Sequence, residues 1–151
     1  MESIDTILER ARQRALRMSL PYSGALTPAE AFTLWRSIDG AQIVDVRTRA
    51  ELDWVGRVPG AIHIEWNHYP GGVRNARFAD ELKLAVEPTQ VPVMFLCRSG
   101  NRSHFAAAVA AQLGYGAAFN ILEGFEGDRD PHSHRNTLGG WRVAGLPWTQ
   151  G

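Results

Sequence analysis

Short apolar runs alternate with amphipathic stretches along this chain, and that alternation predicts its elements in order. Val93-Met94-Phe95-Leu96 is a continuous apolar run preceded by Pro92, the pattern of a strand buried on both faces. After it, Phe105, Ala106, Val109, Ala110 and Leu113 recur at helical spacing, and Gly114 stands where a helix would stop. Upstream, Thr27-Pro28-Ala29-Glu30 is a helix start: Thr27 caps, Pro28 suits the first helical position and Glu30 completes a capping box. That helix should carry Phe32, Leu34 and Trp35 and end near Gly40, with a strand from Gln42 to Val46 behind it. Thr48-Arg49-Ala50-Glu51 repeats the box and opens a short helix ended by Gly56, and Ala61 to Ile64 reads as a further strand. Asn75 to Val86 is helical, with Phe78, Leu82, Ala85 and Val86 as its buried stripe and Pro88 as its stop; Ala118 to Leu122 is the last strand. Strands alternating with helices of this length predict an α/β fold, a parallel sheet with helices on both faces.

The first twenty residues form one more amphipathic helix. Ile4, Ile7, Leu8, Ala11, Ala15 and Leu16 share a face, while Arg10, Arg12, Arg14 and Arg17 mostly occupy the others. The stretch has no apolar core of a secretory signal, no run long enough to span a membrane, and too many acidic residues for an organellar presequence. It is expected to dock on the domain surface or on a second copy, so the chain is a monomer or a homodimer. Residues 1–24 are thus an N-terminal helix and linker, and residues 25–151 a single domain.

Composition narrows the function classes. Hydrophobic content of 44% and charged content of 21% are ordinary for a globular domain, and a formal net charge of zero without a basic stripe gives no footing for nucleic acid or an acidic membrane. One cysteine excludes an intrachain disulfide and a Cys-x-x-Cys metal site. No metal and no cofactor are expected.

That cysteine falls where the chemistry is best placed. Cys97-Arg98-Ser99-Gly100-Asn101-Arg102-Ser103 runs from the predicted strand into the predicted helix, so successive backbone N–H groups and the positive helix end converge on one point. A thiol in such an anion cradle, with Arg98 and Arg102 in the same turn, is favoured as its thiolate, which is a nucleophile. The same loop then holds the substrate through Arg98, Ser99, Gly100, Asn101, Arg102 and Ser103. Arg98 attracts the charged end of an anionic substrate, whereas Arg102 either does the same or turns inward to brace the loop. Asp45 and Arg47, after a strand, read as an ion pair that closes the turn and supports the loop, and His63 as a hydrogen-bonded core histidine.

The Cys97 to Ser103 stretch resembles the active-site loop of rhodanese-family sulfurtransferases, and other segments match in the right order. Leu26 to Glu30 resembles the family's entry to its first helix, Ile43-Val44-Asp45-Val46-Arg47 its Asp-x-Arg strand, and Gly56 to Ile64 its Gly-His-Ile-Pro-Gly-Ala segment, with Arg57 in place of the usual histidine. Gly140 to Pro147 is similar to the family's closing helix. The resemblance implies a rhodanese-like fold and a cytoplasmic sulfurtransferase. Its donor would be thiosulfate or a similar sulfane-sulfur anion, its acceptor a thiol, cyanide or a protein, and its intermediate a Cys97 persulfide. It also marks Phe125 to Gly139 as an insertion, a polar loop at about 126–139 whose His132, His134 and Arg135 would lie on the Cys97 side of the sheet.

Two alternatives are set against this reading. Four residues separate Cys97 from Arg102, whereas cysteine phosphatases use five, and the loop carries no acid for a leaving alcohol, so a phosphatase or arsenate reductase fits less well. A persulfide carrier that serves one protein partner shares every loop feature.

Overall fold

The structure is a computed structural model, and it describes residues 2–150. Its centre is a five-stranded, wholly parallel sheet in the order β1-β5-β4-β2-β3, formed by β1 (Gly24–Leu26), β2 (Gln42–Asp45), β3 (Ile62–His63), β4 (Val93–Leu96) and β5 (Ala118–Ile121). The helices are α1 (Ile4–Met18), α2 (Pro28–Ser37), α3 (Arg49–Trp54), α4 (Phe78–Ala85) and α5 (Asn101–Gln112).

Alternation along each strand sends neighbouring side chains to opposite layers. Ile43, Met94, Leu96, Phe119 and Ile121 pack with Ile7 and Ala11 of α1, Leu34 of α2 and Trp141. Val44, Phe95 and Ala118 face the other way, against Phe78 and Leu82 of α4 and Ala106 and Ala110 of α5. Helices therefore cover both faces, and the central strand β4 is buried along its whole length.

Both predicted capping boxes form. Thr27 Oγ1 accepts from Glu30 N while the Glu30 carboxylate accepts from Thr27 N; Thr48 and Glu51 repeat the exchange at the start of α3. The N-terminal helix docks on its own chain. Its Ile7, Ala11 and Ala15 are buried, and Gly24 of β1 lies so close that a Cβ there would stand 2.8–2.9 Å from Ala11. Arg10 and Arg14 reach across to Glu30, at 2.7 and 2.6 Å.

Five expectations need correction. Leu16, assigned to the apolar face of α1, is 61% exposed, because it lies about 100° round the helix from its buried neighbour Ala15, past the edge of the covered face. Phe105 is 51% exposed, since α5 turns its smallest residues, Ser103, Ala106, Ala107 and Ala110, toward the sheet to approach it closely. Ala85 is exposed, and α4 begins only at Phe78, after a turn in which Asn75 Oδ1 accepts from Arg77 N. The segment Gly140 to Pro147 is a series of tight turns and not a helix; Gly145, at φ +77°, ends the one i to i+4 bond, from Ala144 N to Gly140 O. Trp141 anchors this segment, fully buried with its indole N–H donating to Pro147 O at 2.8 Å.

Candidate active site

Cys97 directly follows β4, at the carboxyl end of the central strand, where open parallel sheets hold their ligands. Its Sγ accepts the Gly100 N–H at 3.1 Å and lies 3.2 Å from Ser103 Oγ. Gly100, at φ +102°, adopts the left-handed turn that brings this amide back onto the sulfur and caps α5. The expected turn from strand to helix around a thiol is therefore present.

Two further elements brace the loop. Asn120 of β5 is buried and donates from Nδ2 to Gly100 O at 3.1 Å; its Oδ1 accepts the Ser103 hydroxyl at 2.5 Å. After β5, Phe125 N donates to Cys97 O at 2.8 Å and Glu126 N to Arg98 O at 2.9 Å. Gly124 makes this approach possible: at φ +64°, a Cβ there would lie 2.5–2.6 Å from backbone atoms of Cys97 and Arg98.

The predicted loop residues divide by what they face. Arg98 is exposed at the tip and, among the described residues, forms no ion pair. Arg102 turns inward and forms a bidentate pair with Glu51 of α3, at 2.7 and 2.8 Å. Ser103 is fully buried beneath Cys97, Ser99 is half-buried, and Asn101 is exposed at the rim.

Electrostatics supports the inward geometry. Burial would raise the Glu51 pKa, but the Arg102 bonds, with those from Thr48, hold it down at about 2. Arg102 is correspondingly held charged: burial opposes the charge, and Glu51, Cys97 and Asp45 favour it.

Asp45 and Arg47 form a wholly buried pair at 2.7 Å under the loop. Arg47 also donates to Gly56 O at 2.9 Å, and its guanidinium lies 4.1 Å from the centre of the Phe125 ring, the residue that bonds Cys97 O. His63 is hydrogen-bonded through Nε2 to Arg47 O at 2.7 Å as expected, but it is half-buried at the rim of a cleft and not in the core.

Beside the loop opens a cleft of about 610 Å³, lined by Trp54 and Tyr69 together with Arg98, Asn101 and Arg102 of the loop. His132, His134 and Arg135 do not line it. Their loop is folded on Asp130, whose carboxylate accepts from the backbone N–H groups of His132 and His134 and from the Thr137 hydroxyl, while Arg135 donates to Gly127 O. A second cleft, about 570 Å³, beside β3 and α4, holds His63, Glu65, His68 and Glu81 but no residue of the Cys97 loop. Among the described residues no group of three or more potential ligands is placed to hold a metal.

Three contributors were not singled out from sequence: Glu51, whose capping role accounted for its carboxylate; Gly124; and Asn120. Asn120 did carry a signal, being a polar residue inside an otherwise apolar strand, where a buried amide requires partners.

Comparison with known proteins gives the class first. The Rhodanese-like domain family matches residues 30–129, and the chain belongs to that family, one of sulfur transfer that uses sulfur donors and thiol acceptors. Individual relatives then place it more closely. The chain is 41% identical to Rv0390 of Mycobacterium tuberculosis, whose crystal structure superimposes with a TM-score of 0.79 over 86% of this chain and 99% of that one. An uncharacterised protein of Rickettsia conorii is 35% identical over 126 residues, covering 79% of this chain and 91% of the relative. A sulfurtransferase of Allochromatium vinosum is 32% identical over 82 residues, or 54% of this chain and 65% of the relative. Among the described residues no helix is long and apolar enough to cross a membrane.

Proposed function

We propose that this protein is a sulfurtransferase that moves a sulfane sulfur from thiosulfate or a similar donor to a thiol or cyanide through a Cys97 persulfide. The observation that carries the reading is the Gly100 N–H donated to Cys97 Sγ inside a loop with four residues between Cys97 and Arg102. A cradle of that size suits a single sulfur atom, and the amide stabilises negative charge on it.

In the first half-reaction the Cys97 thiolate attacks the outer sulfur of thiosulfate. The sulfur–sulfur bond breaks, sulfite leaves with the bonding pair, and Cys97 keeps a terminal persulfide anion. In the second, cyanide or a thiolate takes the terminal sulfur and returns the Cys97 thiolate. Arg98 at the loop tip meets the donor's anionic end, Ser99, Gly100 and Asn101 line the path of the terminal sulfur, and Ser103 holds Cys97 from below. Asp45 and Arg47 keep the loop in place through Phe125. On this reading residues 1–24 are a docked helix and linker whose last residue, Gly24, already opens β1, residues 25–151 the catalytic domain with its insertion at about 126–139, and the reducing cytoplasm suits a lone catalytic cysteine.

Intact mass before and after incubation with thiosulfate tests the scheme. Wild type should gain one sulfur atom that cyanide removes, and Cys97→Ser should gain none. Transfer by the serine variant, or no gain on wild type, overturns it.

A further inference from the structure

The cleft beside the Cys97 loop, lined by its Arg98, Asn101 and Arg102, contrasts with a site built for a small dianion. Its ionisable lining groups are Arg98, Arg102, Glu51 and Glu126, whose formal charges cancel. Cancellation is local as well as formal. Both terminal nitrogens of Arg102 are spent on Glu51, and Glu51 is pinned further, because the Oε1 that takes one of them also accepts the Thr48 N–H and hydroxyl at 3.0 Å each. A carboxylate held by a capping box and an ion pair at once is a fixed charge beside the loop.

The same lining carries two aromatic rings. Trp54 and Tyr69 meet edge to face with ring centres 6.0 Å apart, yet remain 69% and 61% exposed. A cleft of about 610 Å³ has room for far more than an inorganic anion.

We propose that Glu51 is a specificity-determining residue: by neutralising Arg102 it leaves Arg98 as the one lining cation outside an ion pair, in a cleft with no net charge, and the cleft prefers a singly charged sulfane donor with an organic body over a dianion. The proposal rests on the sulfurtransferase reading. The donor step keeps its balance: the Cys97 thiolate attacks the outer sulfur of R–S⁻, where R is an organic sulfonyl or thio group. The bond between R and that sulfur breaks, R leaves as a sulfinate or thiolate with the electron pair, and the persulfide anion stays on Cys97. The organic body lies on Trp54 and Tyr69, while Arg98 takes the single charge.

Benzenethiosulfonate and thiosulfate are matched probes, since both deliver a sulfane sulfur but differ in charge and in the presence of a ring. With cyanide as acceptor, wild-type kcat/KM should be about tenfold higher for benzenethiosulfonate. Glu51→Gln preserves the capping box and frees the Arg102 charge. Because Coulomb attraction scales with ligand charge, thiosulfate should then gain about tenfold and benzenethiosulfonate only about threefold, and both gains should shrink with added salt. The double variant Glu51→Gln/Arg102→Gln should return the ratio to that of wild type, a reversal that a purely structural role for Glu51 would not produce. Arg102→Gln alone leaves Glu51 unpaired and should depress thiosulfate more than benzenethiosulfonate. An unchanged donor ratio in Glu51→Gln, or a shifted ratio that persists in the double variant, refutes the specificity role and leaves the sulfurtransferase standing. Absence of persulfide with either donor refutes the underlying reading.

Discussion

Replacing Glu30 by Gln should loosen α1 from the domain while leaving the Cys97 loop untouched. Glu30 is the hinge of that docking. Its carboxylate closes the α2 capping box on Thr27 and takes Arg14 at 2.6 Å and Arg10 at 2.7 Å. Burial would raise its pKa, but Arg14, the Thr27 N–H and Arg10 hold it at about 2, below its ordinary 4.5. By linkage that difference corresponds to roughly 3 kcal/mol of stability at neutral pH. Arg10 is 37% exposed, so solvent screens its share, and about 2 kcal/mol is the working figure. The sign follows from the lowered pKa: the contribution is complete above the unfolded value of 4.5 and is lost as pH falls toward 2. Gln keeps the cap but not the charge. Urea unfolding should therefore show a gap of about 2 kcal/mol between wild type and Glu30→Gln at pH 7, closing between pH 4.5 and 2. A gap that ignores pH, or one below about 0.5 kcal/mol at pH 7, would refute the assignment of α1 docking to this carboxylate.

Other substitutions probe the loop and its supports. Gly24→Ala places a methyl 2.8 Å from the Ala11 backbone, which cannot swing aside, and should cost about 2–3 kcal/mol by denaturant unfolding. Gly124→Ala meets both a positive φ and the Cys97 and Arg98 backbone, so sulfur transfer should fall at least tenfold; unaltered kcat/KM would show that this contact does not shape the loop. Asn120→Ala strips partners from Ser103 and Gly100 O and should cost about 2 kcal/mol, with a changed rate of Cys97 alkylation as the specific readout. Trp54→Ala should lower kcat/KM for benzenethiosulfonate several-fold and leave thiosulfate nearly unchanged, since only the former has a body to stack.

Much of this protein is determined by local sequence. Period-two and continuous apolar runs set β2, β4 and β5, and two Thr-x-x-Glu boxes set the starts of α2 and α3, because those signals depend on neighbours a few residues away. The loop from Cys97 to Ser103 is local in the same sense: strand, glycine turn and helix start follow one another within it, so the Gly100 N–H to Sγ contact is implied by their order. Tertiary structure decided the rest. Whether Arg102 faces substrate or protein depended on Glu51, fifty-one positions away, and the bracing of the loop depended on Asn120 and Gly124 arriving from the next strand. The same distance effect explains the errors. Phe105 and Leu16 sit on correctly identified amphipathic helices, but the rotation of each helix on the sheet, which only packing fixes, left them in solvent. Helical periodicity tells which side chains share a face; it does not tell which of them the sheet covers, or which of two arginines a distant carboxylate claims.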